Sequence, residues 1–322
     1  MPSTLLPAGL WPVMLTPFLS TNQVDIGGLK ALTTFYLDAG SNGLFANCLS
    51  SEMFQLTDEE RLLITRTVVN HVRGNVPVVA TGTFSREVSA TCEFIKKIYD
   101  TGVQAVILVT SMLVEPDESE EVLKSRLETI MAQTGNIPLG VYECPIPYKR
   151  LLSPSLMAWM ASTGRFVYHK DTSCHSGAIH RKAQAVLNTS FGFYNADTTT
   201  ALDSLDSGAR GISPISGNFY PELYSYLLKE YRKHGRTESL NQLHALLAMM
   251  DRVTHAFYPY AAKLFLQRRG LPIETNTRIP SETLANVDHL RLNALMESFK
   301  TLVNLYKIPL SLPYAAQQIQ KV

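Results

Sequence analysis

From Trp11 onward, short apolar runs alternate with amphipathic stretches at a repeat of roughly 25 to 35 residues, the rhythm of consecutive βα units. The runs fall at 11–15, 43–47, 76–80, 105–109, 137–142, 166–170, 191–195 and 211–215. Eight strands, each followed by a helix, close on themselves, so the expected fold class is α/β, a (β/α)8 TIM barrel. The helical stretches have recognisable ends. Thr57-Asp58-Glu59-Glu60 is a capping box opening a helix that carries Leu62, Leu63, Val68 and Val69. Ser85 begins the next, which stops at Gly102, and Glu115-Pro116-Asp117 introduces a third running to Gly135. Ser153-Pro154 places proline at the first helical position, where its missing N–H is not needed.

After about Pro221 the rhythm becomes helix upon helix, over 222–234, 237–253, 256–270 and 281–303, and 309–322 has no usable periodicity. The expected organisation is a barrel catalytic domain over residues 1–230 and a C-terminal helical appendage over 231–322 packed on it. A net charge of +1, with no basic run, points away from nucleic acid and anionic membrane surfaces as partners. Apolar runs such as 105–109 are too short to span a bilayer. The stretch Met1 to Val13 lacks the basic start and cleavage site of a secretory signal, so the expected location is the cytoplasm. The four cysteines, Cys48, Cys92, Cys144 and Cys174, have neither metal-ligand nor disulfide-framework spacing, and read as small packing residues.

Active sites in this architecture sit at the C-terminal ends of the strands. The sixth run, Phe166 to Lys170, ends in a single lysine followed by Asp171, Thr172 and Ser173. Alternation puts Phe166, Tyr168 and Lys170 on one face and Val167, His169 and Asp171 on the other. With the first face inward, Lys170 is desolvated at the barrel mouth, its pKa falls, and the free amine can attack a carbonyl to form a Schiff base. A strand-end lysine is more often a surface or salt-bridged residue, so the neighbouring strand ends matter. After the second run, Cys48-Leu49-Ser50-Ser51-Glu52 offers two hydroxyls and free amides, suited to a carboxylate or simply to capping a loop, and Glu52 reads as the anchor of that loop. After the fifth, Tyr142 points inward over the gap left by Gly140, either as a core tyrosine or as a phenol exchanging a proton with a carbinolamine on Lys170. At the eighth, Gly208-Ala209-Arg210-Gly211-Ile212-Ser213-Pro214 is backbone closing round a small ligand, or a tight barrel corner. His169, on the opposite face from Lys170, reads as a satisfied structural histidine, and Asp197 as a helix cap.

Lys170 near the end of a sixth strand, Tyr142 three residues before Pro145, the hydroxyl-rich turn ending in Glu52 and Gly208-Ala209-Arg210-Gly211 stand in the order and spacing of the dihydrodipicolinate synthase and N-acetylneuraminate lyase family. The chain resembles a divergent member of it from about Leu10 to Pro221, and its helical C-terminal third also fits. The resemblance implies a class I aldolase or lyase. Lys170 would form the imine with a 2-oxo acid and Tyr142 would move the proton. Ser50 and Ser51 would hold the carboxylate, with the backbone around Ile212 and Ser213 on the other side. It implies no metal or organic cofactor, since the imine is the electron sink, and a homo-oligomer, dimer or homotetramer.

The departures are as informative. Where the family usually reads Gly-Thr-Thr-Gly-Glu, Cys48, Leu49 and Ser51 replace the first glycine, a threonine and the second glycine, and Leu49 removes a hydroxyl of the synthase relay. Ser111-Met112-Leu113 stands where a tyrosine reaches into the neighbouring subunit, Pro147 where the synthase has an arginine, and Glu143 where asparagine is usual. Lysine-pathway synthase activity is therefore not expected. The leading expectation is aldol cleavage or formation of a hydroxylated, sugar-acid-like 2-oxo acid, with pyruvate as product or donor. The alternatives are a 2-oxo-acid dehydratase or hydratase working through the same imine, and a non-catalytic 2-oxo-acid-binding homologue.

Overall fold

The computed structural model describes residues 5–280 and 284–312. The first three residues expected in the last helix and the end of the tail lie outside them. The strands are β1 (Gly9–Leu10), β2 (Leu44–Ala46), β3 (Val78–Thr81), β4 (Ala105–Val109), β5 (Leu139–Tyr142), β6 (Phe166–Asp171), β7 (Gly192–Asn195) and β8 (Gly211–Ile212). They pair in parallel in the order β1-β8-β7-β6-β5-β4-β3-β2. The first run closes the ring by working twice. Before Pro12 it pairs with β8, and past Pro12 it pairs with β2, where Val13 bridges Phe45 and Met14 N donates to the Phe45 carbonyl at 3.0 Å. Proline has no N–H to continue one ladder. This moves β1 two residues ahead of the expected 11–15, and Pro214 likewise ends β8 early.

Between the strands run α1 (Ile26–Asp38), α2 (Asp58–Val72), α3 (Val88–Tyr99), α4 (Thr110–Leu113), α5 (Glu120–Gln133), α6 (Pro154–Ser162), α7 (Ser176–Ala185) and α8 (Ala201–Asp206). After β8, α9 (Pro221–His234) packs on β1 and completes a (β/α)8 barrel, which is followed by the helical appendage α10 (Glu238–Thr254), α11 (Tyr260–Arg268) and α12 (Asn286–Tyr306). The capping box forms as expected, with Thr57 Oγ1 accepting from Glu60 N at 3.2 Å and Glu60 Oε2 accepting from Thr57 N at 2.9 Å. Ser153 caps α6 with Pro154 at its first position. The helix expected from Ser85 starts later, at Val88, because Ser85 Oγ accepts from Glu87 N and closes a separate turn.

One expectation about the sixth strand is overturned. Leu139 pairs with Phe166, but Gly140 pairs with Tyr168, so Val167 is the extra residue of a β-bulge. Phe166 therefore joins the core between sheet and helices, while Val167 and Tyr168 both lie in the barrel interior. That interior is filled by rings: Tyr168 stacks on Tyr194 at 4.5 Å, and Trp11 lies 5.1 and 5.2 Å from the two. Gly140 leaves no gap, since a Cβ there would stand 2.4 Å from Ile107 Cδ1 and 2.7 Å from the Tyr168 carbonyl. Gly211 is equally required, because its Cβ would fall 1.9 Å from the Gly9 carbonyl oxygen across the β1–β8 contact.

Buried ion pairs tie the appendage to the barrel. Arg269 pairs with Glu222 at 2.5 Å and donates to the Phe219 carbonyl. Lys263, fully buried in α11, pairs with Glu52 at 2.8 Å, whose other oxygen accepts from the Ile279 amide. Glu52 thus anchors the appendage as well as its own loop. Arg278 grips Glu60 with two bonds of 2.6 Å.

Candidate active site

The ends of β5 and β6 carry the centre of the site. Register pairs Tyr142 directly with Lys170, and both side chains turn inward and are buried. Lys170 Nζ lies 4.6 Å from the centroid of the Tyr142 ring. Burial pushes the Lys170 amine down to about 8, against a weaker upward pull from Cys48 and Cys144. Burial also raises the Tyr142 phenol well above its ordinary value, with Cys144 adding to it, so the phenol stays protonated at neutral pH. Cys48 and Cys144 are buried free thiols beside this pair, while Cys174 is exposed.

The remaining expected site residues are placed as follows. Ser51 is spent on its own turn: its hydroxyl donates to the Met14 carbonyl at 2.6 Å and accepts from Cys48 N at 3.1 Å, and its amide donates to the Cys48 carbonyl. Ser50 is buried at the same mouth. Ser213 Oγ donates to the Trp11 carbonyl at 2.6 Å and takes a long contact from the Tyr168 hydroxyl at 3.3 Å. The Ile212 side chain belongs to the sheet–helix core. At both positions the side chain is thus committed within the fold. Asp197 caps its turn, accepting from Thr200 N and Oγ1 at 3.0 and 2.8 Å. Leu49, Met112 and Ile215 pack against the interior cluster from the mouth, and Leu113 is buried.

On the outer face of the same strand ends is a second, wholly buried group that sequence reading missed. Lys182 of α7 reaches Glu143 at 2.5 Å and Asp171 at 2.9 Å. Glu143 also accepts from the amides of Leu152 at 2.8 Å and Thr172 at 3.2 Å, and its own amide donates to the Lys170 carbonyl at 3.2 Å. Burial alone would raise the Glu143 carboxyl, but His169 and Lys182 override it and hold it well below the usual carboxylate range. His169 faces the helix layer as alternation requires, yet it is not hydrogen-bonded: Nε2 lies 3.4 Å from Glu143 Oε1 and the ring packs on Phe193. Glu143, His169 and Asp171 have ligand atoms within 4.8 Å of one another, a spacing a metal ion accepts, but the Lys182 ammonium already supplies positive charge between the two carboxylates. Lys182 left a trace in the sequence, for it occupies a core slot among Ile179, Ala183 and Val186.

No helix among the described residues is long and apolar enough to cross a membrane. Compared with known proteins, the chain is 29% identical over 283 residues to 4-hydroxy-tetrahydrodipicolinate synthase of Bacillus subtilis (strain 168), covering 87% of this chain and 95% of that protein. It is 24% identical over 301 residues to L-2-keto-3-deoxyarabonate dehydratase of Azospirillum brasilense, covering 92% and 95%. Among solved structures, YagE, a prophage protein from E. coli K12, superposes with a TM-score of 0.79 at 24% identity, covering 94% of this chain and 99% of that one. Residues 6–299 match the sequence profile of the Dihydrodipicolinate synthetase family, and the chain belongs to that family.

Proposed function

We propose that this chain is a Schiff-base lyase that cleaves or forms a hydroxylated 2-oxo acid, sugar-acid-like in its hydroxyls, with pyruvate as product or donor. The observation that carries the reading is a buried amine, lowered to about 8, set against a buried phenol at the paired position of the next strand. Near neutral pH a tenth or so of such an amine is uncharged, enough to attack a carbonyl carbon. The protonated Tyr142 donates as the carbinolamine hydroxyl leaves as water. The phenolate left behind faces an iminium cation, which offsets the cost of its burial. It then takes the proton of the C4 hydroxyl as the C3–C4 bond breaks, its electron pair moving through C3 and C2 to the imine nitrogen. The aldehyde departs, and protonation and hydrolysis of the enamine release pyruvate and regenerate Lys170. The imine carries the electrons, so the reaction calls for no metal or organic cofactor.

Ser50 takes the carboxylate in this scheme, Ser51 braces the turn that presents it, and backbone at Ile212 and Ser213 lines the opposite wall. The YagE structure holds pyruvate, which suits this assignment of substrate class. Leu49 and Pro147, in place of relay and anion-binding groups, speak against lysine-pathway synthase activity. A dehydratase using the same imine is the second reading, favoured by the relative of that name in A. brasilense. A homo-oligomer remains part of the proposal, read out by sedimentation. Borohydride trapping with pyruvate, followed by peptide mapping, tests the chemistry: a reduced adduct on the Lys170 peptide supports it. No adduct with pyruvate or longer 2-oxo acids sinks it in favour of a binding protein. Given an adduct, incubation with 2-oxo-3-deoxy sugar acids separates cleavage, which yields pyruvate and a shorter aldehyde, from dehydration, which yields no pyruvate and leaves the carbon chain intact.

A further inference from the structure

The side of the barrel mouth that faces the lysine is apolar, and the lyase scheme leaves it unused. Leu49, Phe54, Phe84, Met112 and Ile215 are each half-buried and pack against the interior cluster that holds Tyr142. They stand in the segments that follow β2, β3, β4 and β8. Strand order joins them into one arc, since the first run pairs with β8 before Pro12 and with β2 past it. Within the arc Phe54 and Phe84 meet edge to face at 6.3 Å. Lys170 lies at the end of β6, and β2 stands across the ring from β6, so the arc and the amine face each other over the opening.

Hydroxyls at the other strand ends are committed to the fold. Thr110 donates to the Arg150 carbonyl at 2.8 Å, Thr172 to the Glu143 carbonyl at 2.6 Å and Ser213 to the Trp11 carbonyl at 2.6 Å. Thr198, after β7, donates to Asp251 at 2.9 Å, and the Asp197 carboxylate accepts from its own turn. With these protons spent, none of the four hydroxyls can donate to a substrate hydroxyl. A hydroxylated tail laid on the arc would lose its water without replacement, which is costly, whereas an alkyl or aryl tail gains by leaving water.

We propose that this arc receives the aldehyde half of the substrate, and that the carbon beyond C4 belongs to an apolar group, aryl or branched alkyl, in place of further hydroxyls. This rests on the reading of Lys170 as the imine-forming residue, and narrows the sugar-acid-like pattern to its C4 hydroxyl. In the synthetic direction C3 of the enamine attacks the aldehyde carbon and Tyr142 protonates the new alkoxide. The phenolate regains its proton from the water that hydrolyses the imine, so pyruvate and aldehyde add with no atom lost.

The test follows the condensation of pyruvate with benzaldehyde and with glyceraldehyde, the products being resolved by mass spectrometry. The expected result is a kcat/KM about tenfold higher for benzaldehyde, and a roughly tenfold fall in that ratio in Met112→Ser/Ile215→Ser, which puts hydroxyls at two points of the arc. Borohydride trapping with pyruvate reports that each protein is folded and forms the imine; if the double variant gives no adduct, Met112→Ser alone carries the comparison. A preference for glyceraldehyde, or equal use of the two aldehydes, overturns the proposal. So does a preference for benzaldehyde that the variant leaves unchanged, which would make the arc packing alone, and so does an adduct without condensation of either aldehyde. If the unmodified protein forms no pyruvate adduct, the imine reading itself has failed and the proposal falls with it.

Discussion

Replacing the site lysine should make the protein more stable, and only on the acid side of a defined window. Lysine ordinarily titrates at 10.5, and Lys170 in the folded chain at about 8. Below pH 8 both folded and unfolded chains carry the ammonium, and only the folded one suffers its desolvation. Above 10.5 neither carries it. The penalty is therefore full below pH 8, shrinks between 8 and 10.5, and vanishes above. A gap of about 2.5 pH units at 1.36 kcal/mol each is worth about 3 kcal/mol. That difference is net of the attraction of the Tyr142 ring, 4.6 Å from Nζ, for the ammonium. Methionine fills the space of lysine without the charge, so Lys170→Met should gain about 3 kcal/mol at pH 7, several degrees in Tm. Urea melts at pH 7 and pH 10.5 check this. Equal stabilisation at both pH values, or a loss at pH 7, would refute desolvation as the cause of the lowered amine.

Three further outcomes follow from the same geometry. The rate of pyruvate trapping should rise with pH and reach half its maximum near pH 8, because the free amine is the nucleophile; a pH–rate profile reads it, and a midpoint above 10 contradicts the burial argument. Lys182→Met leaves Glu143 and Asp171 buried without a counter-charge and should cost about 3–5 kcal/mol, part of which Lys182→Met/Glu143→Gln recovers; denaturant melts of the single and double variants measure this. Tyr142→Phe should lower turnover by roughly 10²–10⁴ while a reduced adduct still forms on Lys170 during long trapping; loss of the adduct itself would show that the phenol is needed to build the imine.

Periodicity carries the barrel because apolar runs of strand length recur between capped helices, and Thr57, Ser153 and Pro154 declare their helix ends through local chemistry. What periodicity cannot carry is contact between distant segments. The bulge at Val167 has no sequence mark, since it arises from how β5 and β6 fit. Lys170 and Tyr142 are legible as strand-end residues, and their pairing follows from register. The Lys182 and Arg269 charges are half legible, as cations in apolar helical stripes, but their partners Glu143 and Glu222 lie far off in sequence. Ser51 shows the opposite limit, a hydroxyl of the right type in the right turn that the backbone takes for itself.

Strand parity explains why so many charges can crowd the ends of β5 and β6 without spoiling the lysine. Tyr142 and Lys170 point inward, and Glu143, His169 and Asp171, one residue away on each strand, point outward, where Lys182 pairs with the two carboxylates. A slip of one residue would reverse every one of these directions. It would bring a carboxylate to about 4 Å from the amine, worth about 4 kcal/mol at an effective dielectric constant of 20, and raise its pKa by about 3. The nucleophile would then be charged at any pH the fold tolerates. Because the bulge at Val167 absorbs the odd residue before Tyr168, pairing is back in step at Lys170. The outward ion pairs, locked onto α7 and the amides of Leu152 and Thr172, hold that step in place. The charged cluster behind the strands and the low pKa in front of them are two results of one register.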